Sequence, residues 1–188
     1  DNKKIIGEEQ ITKCPNKIKK IEYDQKITIN QQVISAVNES DLIIFSSGSL
    51  LTSIAPHLIN KTLVKALKKS SAPKMYICNL FTQPGETDNF KVSDHIKILE
   101  SYLGSKSIDV VVANNNMLDS KLVNIYQTTE QKDPVLLDEE NLKKLNVKIL
   151  TDDLAKIEDG VYRHDSLKTA YLIFSYLMNS SKVTKENN

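Results

Sequence analysis

One segment of the chain predicts a strand, a loop and the start of a helix in immediate succession: Asp41-Leu42-Ile43-Ile44-Phe45-Ser46-Ser47-Gly48-Ser49-Leu50-Leu51-Thr52-Ser53-Ile54-Ala55-Pro56-His57. Its apolar run, residues 42–45, is bounded by polar residues, as is typical of a strand buried on both faces of a parallel sheet. A small polar loop follows at 46–49, and Ser49 is placed to cap the next helix. Free backbone N–H groups and the helix dipole converge at such a turn. The turn therefore suits phosphate, although most turns of this kind only connect a strand to a helix.

Two further apolar runs, at residues 75–80 and 108–113, predict buried strands. Helices predicted at 62–69 and 94–103 separate the three strands, and Ser93 is interpreted as the cap of the second helix. Strand and helix therefore alternate, which predicts right-handed crossovers in a parallel, doubly wound sheet of an α/β protein.

The remaining elements are predicted from shorter patterns. Residues 7–11 are interpreted as a turn into an edge strand, and 18–29 as one or two half-exposed strands. Helices are expected near 121–126 and 139–145, a strand at 147–150, and a closing helix at 165–178. That helix is strongly apolar, and five of its side chains are predicted to face the core: Leu167, Ala170, Tyr171, Phe174 and Leu177.

Composition narrows the classes of partner. The chain has 188 residues, 40% of them hydrophobic, enough for one sizeable core. Its 25 basic and 24 acidic residues leave a net charge of +1, so no electrostatic footprint for nucleic acid or an anionic membrane is expected. No apolar run reaches membrane-spanning length. Two isolated cysteines indicate a reducing, cytoplasmic compartment.

Three polar loops follow the predicted strands, at residues 46–49, 82–87 and 114–116. In open α/β sheets the carboxyl ends of parallel strands meet at one edge, and ligands bind there. The three loops together therefore predict a ligand site at that edge.

Side-chain chemistry leaves the type of site open. The P-loop, dinucleotide-binding and hydrolase signatures are missing from the sequence, and the three histidines lack metal-ligand spacing. His95 is the histidine best placed to contact a ligand, because it falls in a first helical turn beside a polar loop; a solvated histidine is the competing interpretation. Glu86 and Asp88 suit a metal or a general base, but a solvated Glu86 and an Asx-turn at Asp88 explain them equally well.

Seven short motifs stand out along the chain: Gly48-Ser49-Leu50, Thr52-Ser53, Pro56, Tyr76-Ile77-Cys78-Asn79, Thr82-Gln83-Pro84-Gly85-Glu86-Thr87, Ser93-Asp94-His95 and Arg163-His164-Asp165. Together they resemble the CofD-like family, which contains the 2-phospho-L-lactate transferases of coenzyme F420 synthesis and the bacterial gluconeogenesis or morphogenesis factors. The Asn-x-x-Thr-Gln-Pro-Gly-Glu-Thr run, with Ser-Asp-His after it, resembles the gluconeogenesis-factor branch.

This resemblance implies a Rossmann-like, three-layer α/β sandwich with a mostly parallel sheet. It also implies a regulatory protein of central carbon or cell-wall metabolism that binds a nucleotide-sugar, such as a UDP-sugar, or a dinucleotide such as NAD. No catalytic residue is assigned. The ligand-binding residues it implies are Ser46, Ser47, Gly48, Ser49, Leu50, Thr52, Asn79, Thr82, Gln83, Gly85, Glu86, Thr87 and His95.

Two departures from the family pattern affect this expectation. The usual Gly-Pro-Gly-Ser-Leu is Ser46-Ser47-Gly48-Ser49-Leu50 here, so Ser46 adds bulk and a hydroxyl where backbone would approach a phosphate. Nothing before Asp41 resembles the family's glycine-rich first strand and loop. Residues 1–188 are therefore predicted to be a single α/β domain, the C-terminal portion of a CofD-like domain.

Two other functions remain open from the sequence. The first is an enzyme like 2-phospho-L-lactate transferase, which would need Mg²⁺ held by Glu86, Asp88 and phosphate oxygens. The Thr82–Thr87 motif favours the regulatory branch over this enzyme. The second is a chain that serves mainly in forming a homodimer.

Overall fold

The computed structural model describes residues 4–12, 14, 16 and 18–186. A parallel four-stranded sheet, in the order β1-β2-β3-β4, organises them. Its strands are β1 (Ile43–Phe45), β2 (Lys74–Ile77), β3 (Val110–Asn114) and β4 (Lys148–Asp152). The register pairs Phe45 with Tyr76, Tyr76 with Val111, and Val112 with Leu150. The strands predicted near residues 42–45, 75–80, 108–113 and 147–150 are confirmed, and so is the parallel sheet.

Helices fill most of the chain between and around these strands. An antiparallel hairpin, β5 (Ala155–Glu158) and β6 (Val161–His164), follows β4. The helices are α1 (Glu8–Thr12), α2 (Gln31–Glu39), α3 (Ala55–Leu58), α4 (Lys61–Lys69), α5 (Val92–Leu103), α6 (Ser120–Thr129), α7 (Glu139–Leu145) and α8 (Ser166–Glu186). A π-helical turn, Leu50–Ile54, leads directly into α3.

One face of the sheet is covered by the helices that connect its strands. Right-handed crossovers between strands in sequential order place every connecting helix on the same side. Leu58 of α3, Leu67 of α4, Leu99 of α5 and Leu142 of α7 are accordingly buried in one apolar cluster with Tyr76 of β2. This cluster is the main core.

The opposite face is covered by α8. Met75 and Val110 of the sheet are buried there with Leu154, and Leu172 and Ile173 of α8 pack against them. Helices therefore lie on both faces of a parallel sheet, which is the predicted Rossmann-like α/β sandwich. The strand order runs from β1 to β4 without reversing, so the described residues contain one direction of winding and not the doubly wound sheet that was expected.

The prediction of which side of the closing helix packs against the core is wrong. Leu167, Tyr171 and Phe174 were expected in the core but are exposed, and α8 instead turns Leu172 and Ile173 toward the sheet. Apolar residues occupy two opposite sides of this helix, so their spacing could not say which side packs.

The predictions for the beginning of the chain are also wrong. Residues 8–12 form the short helix α1, whereas an edge strand was expected there. Residues 18–30 form neither helix nor strand, although Ile18, Ile21 and Ile29 pack against the main core. These apolar side chains therefore contact the core from a segment that has no partner strand.

Two helices differ in how they are capped, and the Ser93 cap predicted for α5 is wrong. Helix α2 is capped by Asn30, whose side-chain oxygen accepts from the Gln32 N–H at 2.9 Å. Helix α5, in contrast, begins at Val92, so Ser93 lies inside its first turn and donates its hydroxyl to Asp138 at 2.6 Å. Among the described residues, none of the helices has the length and apolar character needed to cross a membrane.

Candidate functional site

The loop after β1 is fixed at its C-terminal end by Ser49. The Ser49 hydroxyl accepts from the Thr52 N–H at 3.2 Å, and the Ser49 carbonyl accepts from the N–H groups of Ser53 and Ile54 at 3.0 Å each. The predicted cap is confirmed, but the element it caps opens as a π-helical turn and only then becomes α3.

Glu86 holds this turn from the neighbouring loop. Its carboxylate accepts hydrogen bonds from the Ser49 hydroxyl, from the Leu51 N–H at 3.2 Å and from the Thr52 hydroxyl at 3.1 Å. Only 7% of Glu86 is exposed. A buried carboxylate with three donors at the start of a helical turn is well satisfied, because the free N–H groups there favour negative charge.

Asn79 fixes the same loop at Gly48. Its side-chain oxygen accepts from the Gly48 N–H at 3.1 Å, and its amide donates to the Gly48 carbonyl at 2.9 Å. Asn79 is the second residue after β2, so the loops after β1 and β2 are joined at two points, by Asn79 and by Glu86. The Gly48 N–H, expected to face a ligand, is therefore already used within the protein.

Most polar groups of the loop after β2 are hydrogen-bonded within the protein. Thr82 is buried and its hydroxyl accepts from the Asp133 N–H at 2.9 Å, while the Thr87 hydroxyl accepts from the Gln83 N–H at 2.8 Å. Gly85 has φ of 78°, which glycine adopts without strain. The side-chain oxygen of Gln83 is buried without a hydrogen-bond partner among the described residues.

His95 is not at this edge. It is 0% exposed and lies in the core between Tyr76, whose hydroxyl is 2.9 Å from His95 Nδ1, and Phe90, whose ring meets it edge-on. Burial lowers the pKa of His95 to about 4, so the ring is neutral at pH 7. Its predicted contact with a ligand does not fit this position. Leu99, four residues on and also buried, is the signal that could have placed His95 on the packed side of α5.

His164 reaches the edge instead. Its Nε2 lies 3.0 Å from the carbonyl of Cys78, which precedes Asn79, and since a carbonyl can only accept, Nε2 carries the hydrogen. Burial lowers the pKa of His164. In its neutral form the ring therefore keeps Nδ1 as an acceptor beside the two joined loops. The sequence offered the Arg163-His164-Asp165 motif but no reason to bring it to the end of β2.

Polar side chains at and near the carboxyl ends of β3 and β4 make hydrogen bonds within the protein. The Asn114 side-chain oxygen accepts from the Leu154 N–H at 2.9 Å, and the Lys168 ammonium donates to the Asp153 carbonyl at 2.9 Å. The Asn114–Asn116 loop thus lies at the predicted edge but is tied to the start of the β5–β6 hairpin.

The geometry does not suit a magnesium ion on Glu86 and Asp88. Both oxygens of Glu86 already accept from protein donors, and one oxygen of Asp88 accepts from the Gly85 N–H at 2.9 Å. Among the described residues there is no group of three histidine, cysteine, aspartate or glutamate side chains able to hold a metal ion.

An open groove of about 450 Å³ runs below the loop of residues 46–48, along the free side of β1. Its walls are mainly apolar and include Val37 of α2, Ile44 of β1 and Leu63 of α4, with His57 at one side. A mostly apolar cleft with polar groups at its rim is the common form of a small-molecule site.

The sequence profile of the family described as "2-phospho-L-lactate transferase CofD" matches residues 1–155. This chain belongs to the CofD family. The CofD-family chain is 38% identical over 178 residues to a Thermotoga maritima protein whose name includes "gluconeogenesis factor"; the match covers 92% of this chain and 55% of that protein. A Bacillus subtilis protein named "Gluconeogenesis factor" is 33% identical, with coverage of 94% and 56%.

Solved structures agree with the sequence relatives. A crystal structure of a Bacillus halodurans protein superposes with a TM-score of 0.85 at 32% identity, covering 90% of this CofD-family chain and 55% of that chain. The predicted resemblance to the gluconeogenesis-factor branch is confirmed. The chain spans about half the length of the curated relatives it matches.

Proposed function

We propose that this chain forms part of a gluconeogenesis factor that binds a nucleotide-sugar, such as a UDP-sugar, or a dinucleotide at the loop of residues 46–49. The observation that carries the proposal is the joining of this loop to the next one by Asn79 and Glu86. A loop that only connected a strand to a helix would not need a buried carboxylate and a two-point amide contact to hold it. The names of the relatives support a role in gluconeogenesis.

The arrangement suggests how the ligand would sit. Because Asn79 occupies the Gly48 N–H, a phosphate would be held by the hydroxyls of Ser46 and Ser47 and by the Ser49 N–H. The apolar groove along β1 has the volume for a base or a sugar ring. The Nδ1 atom of His164 offers an acceptor for a sugar or ribose hydroxyl.

Isothermal titration calorimetry tests this proposal. UDP-N-acetylglucosamine, UDP-glucose and NAD are titrated into this chain and, in parallel, into the full-length Bacillus subtilis relative, with inorganic phosphate as the ligand control. We expect one nucleotide to bind at least tenfold more tightly than phosphate. The proposal fails if none of the three binds either protein.

The alternative function, an enzyme like 2-phospho-L-lactate transferase, is supported by one observation, the description of the matching family profile. The hydrogen bonds made by Glu86 count against a magnesium site of the kind first considered. An assay of deazaflavin turnover with Mg²⁺ separates the two functions, since measurable product would place the enzyme first.

A further inference from the structure

A second pocket, of about 300 Å³, lies between helix α5 and the segment of residues 18–21. We name it the α5 cleft. It is distinct from the groove along β1, because the two share none of their lining residues. Pockets for small molecules usually measure about 300–1,000 Å³, so the α5 cleft suits a molecule the size of an amino acid better than a nucleotide-sugar.

The walls of the α5 cleft are mainly apolar. Ile98 and Tyr102 lie one helical turn apart on the same side of α5, and Phe90 lies just before that helix. Ile18 and Ile21 line the cleft from the other segment. All five side chains pack against the main core and are only partly buried, so apolar surface stays open to the cleft. Covering that surface favours binding, and the two aromatic rings favour an aromatic ligand.

The segment of residues 18–21 is held in place on both sides. After it, the Tyr23 hydroxyl donates to the Pro56 carbonyl. Before it, the chain at Cys14 packs on the loop after β2, since a Cβ added to Gly85 would lie only 2.9 Å from the Cys14 carbonyl. The cleft is therefore formed without a ligand, and a ligand need not order the protein when it binds.

The rim of the α5 cleft carries exposed charges of both signs. Lys20 pairs with Glu22, but their side chains are 74% and 63% exposed, so another carboxylate can replace Glu22 with little loss of stability. Asp88 is exposed, and its carboxylate accepts from the Gly85 N–H at 2.9 Å. The third charge, on the buried carboxylate of Glu86, is already satisfied by three protein donors. A ligand with both a carboxylate and an ammonium group matches this rim.

We propose that the α5 cleft binds a free aromatic amino acid. The aromatic ring packs against Phe90 and Tyr102. The carboxylate pairs with Lys20, and the ammonium group pairs with Asp88. An aromatic acid without the ammonium group, or an aromatic amine without the carboxylate, satisfies only half of this rim.

The floor of the α5 cleft belongs to the joined loops. It is formed by Leu51 and Glu86, which line the cleft and are buried, and the Glu86 carboxylate accepts from the Leu51 N–H at 3.2 Å. A bound amino acid therefore contacts two residues that fix the loop of residues 46–49, which is the position expected of a regulatory site. Binding of the amino acid does not depend on the nucleotide site proposed above.

Isothermal titration calorimetry of the 188-residue chain tests the chemistry of the ligand. L-Phenylalanine and L-tryptophan are titrated beside phenylpropionate, which lacks the ammonium group, and phenylethylamine, which lacks the carboxylate. We expect at least one amino acid to bind with a dissociation constant below about 1 mM, and L-phenylalanine to bind at least about fivefold more tightly than either analogue. Failure of both amino acids to bind, or an analogue that binds as tightly as L-phenylalanine, overturns the proposal.

Two matched tryptophan substitutions test the location. Ser101 is exposed on α5 and lines the cleft, so Ser101→Trp fills it. Val33 of α2 is 41% exposed and lines the groove along β1, so Val33→Trp fills the groove instead. We expect Ser101→Trp to weaken binding of the amino acid more than tenfold and Val33→Trp to leave it within about twofold. Unchanged binding in Ser101→Trp, or loss of binding in Val33→Trp alone, overturns the proposal.

Charge reversal at the rim tests the site without changing the shape of its walls. Lys20→Glu is compared with Lys121→Glu, an exposed position on α6, and circular dichroism verifies that all the variants are folded. We expect Lys20→Glu to weaken binding of the amino acid more than about fivefold and Lys121→Glu to leave it unchanged. Equal affinity of Lys20→Glu and the parent protein contradicts the proposed carboxylate contact and overturns the site as proposed.

Discussion

At the scale of single residues, Glu86 has a role that its position in the sequence hides. Glu86 lies 37 positions after Ser49 in the sequence, yet its carboxylate accepts hydrogen bonds from the Ser49 hydroxyl and from the Leu51 N–H of the π-helical turn. We expect Glu86→Ala to lower the free energy of unfolding by about 2–3 kcal/mol, because the buried Leu51 N–H loses its acceptor. Urea denaturation followed by circular dichroism measures this.

Glu86→Gln is the matched variant, since its amide keeps one acceptor oxygen and removes the charge. We expect it to cost about 1 kcal/mol and to keep more ligand affinity than Glu86→Ala. If both variants retain the stability of the parent protein, Glu86 does not hold the turn.

A substitution at Gly48 can show whether the loop of residues 46–49 binds a ligand or only connects β1 to the next helix. A Cβ built at this position would find its nearest heavy atom, Cβ of Ser53, at 3.9 Å, so the protein itself leaves room for a side chain. We expect Gly48→Val to change the free energy of unfolding by less than about 1 kcal/mol but to weaken nucleotide binding more than tenfold, about 1.4 kcal/mol, if the ligand approaches the loop backbone.

Calorimetry and thermal denaturation of the same Gly48→Val preparation distinguish the two roles. Unchanged affinity with a lowered melting temperature would make the loop a connector. Gly48→Ala, with a smaller side chain, should lie between the parent protein and Gly48→Val in affinity.

At the scale of elements, α8 offers a direct comparison of its two sides. Leu172 packs on the sheet and its neighbour Phe174 is exposed. We expect Leu172→Ala to lower the free energy of unfolding by about 2 kcal/mol, because it removes buried methyl groups and leaves a cavity. Phe174→Ala should change it by less than about 0.5 kcal/mol, because the Phe174 side chain is exposed.

Urea denaturation at low protein concentration gives both values. Equal losses for the two variants would mean that α8 lies with a different side against the sheet.

The sequence predicted elements better than it predicted their packed sides. Apolar runs identified the strands, because a strand buried on both faces has few alternatives to an unbroken apolar sequence. For α8 the sequence pattern failed, because the helix has apolar residues on two opposite sides and their spacing does not show which side packs on the sheet. For His95 it failed because a polar residue in a first helical turn was judged by its neighbours in sequence and not by Leu99, one turn further on.

At the scale of the whole molecule, the buried His95 and the half-buried His164 predict a loss of stability in acid. The pKa of His95 is lowered to about 4 by burial, from 6.5 when unfolded, and that of His164 is lowered too. Between these values the unfolded chain binds more protons than the folded one, so stability is fully present above pH 6.5 and falls as the pH drops toward 4. His95 alone should account for about 3 kcal/mol of this loss.

Urea denaturation at several pH values from 7.5 to 4 checks the prediction against His95→Gln. We expect the parent protein to lose more stability over this interval than the variant, whose side chain does not titrate. His57→Gln, at an exposed position, serves as the control. Parallel curves for the parent protein and His95→Gln would show that His95 does not contribute.

The arrangement of the site as a whole could be predicted only in outline. The rule that ligands meet the carboxyl ends of parallel strands brought the loops at 46–49 and 82–87 to one edge. It could not show that Asn79 would occupy the Gly48 N–H or that His164 would reach the end of β2, since both contacts join residues more than 30 positions apart. Such pairings depend on the assembled fold and not on local pattern.

The joined loops also have a consequence for the thermodynamics of binding. Because Asn79 and Glu86 hold the loop of residues 46–49 before any ligand arrives, its backbone has little conformational freedom left to lose on association. The entropy given up on binding would then come mainly from the ligand's own rotatable bonds. A dinucleotide, with its long flexible pyrophosphate link, should therefore bind with a larger entropic penalty than a nucleoside monophosphate that fills the same loop.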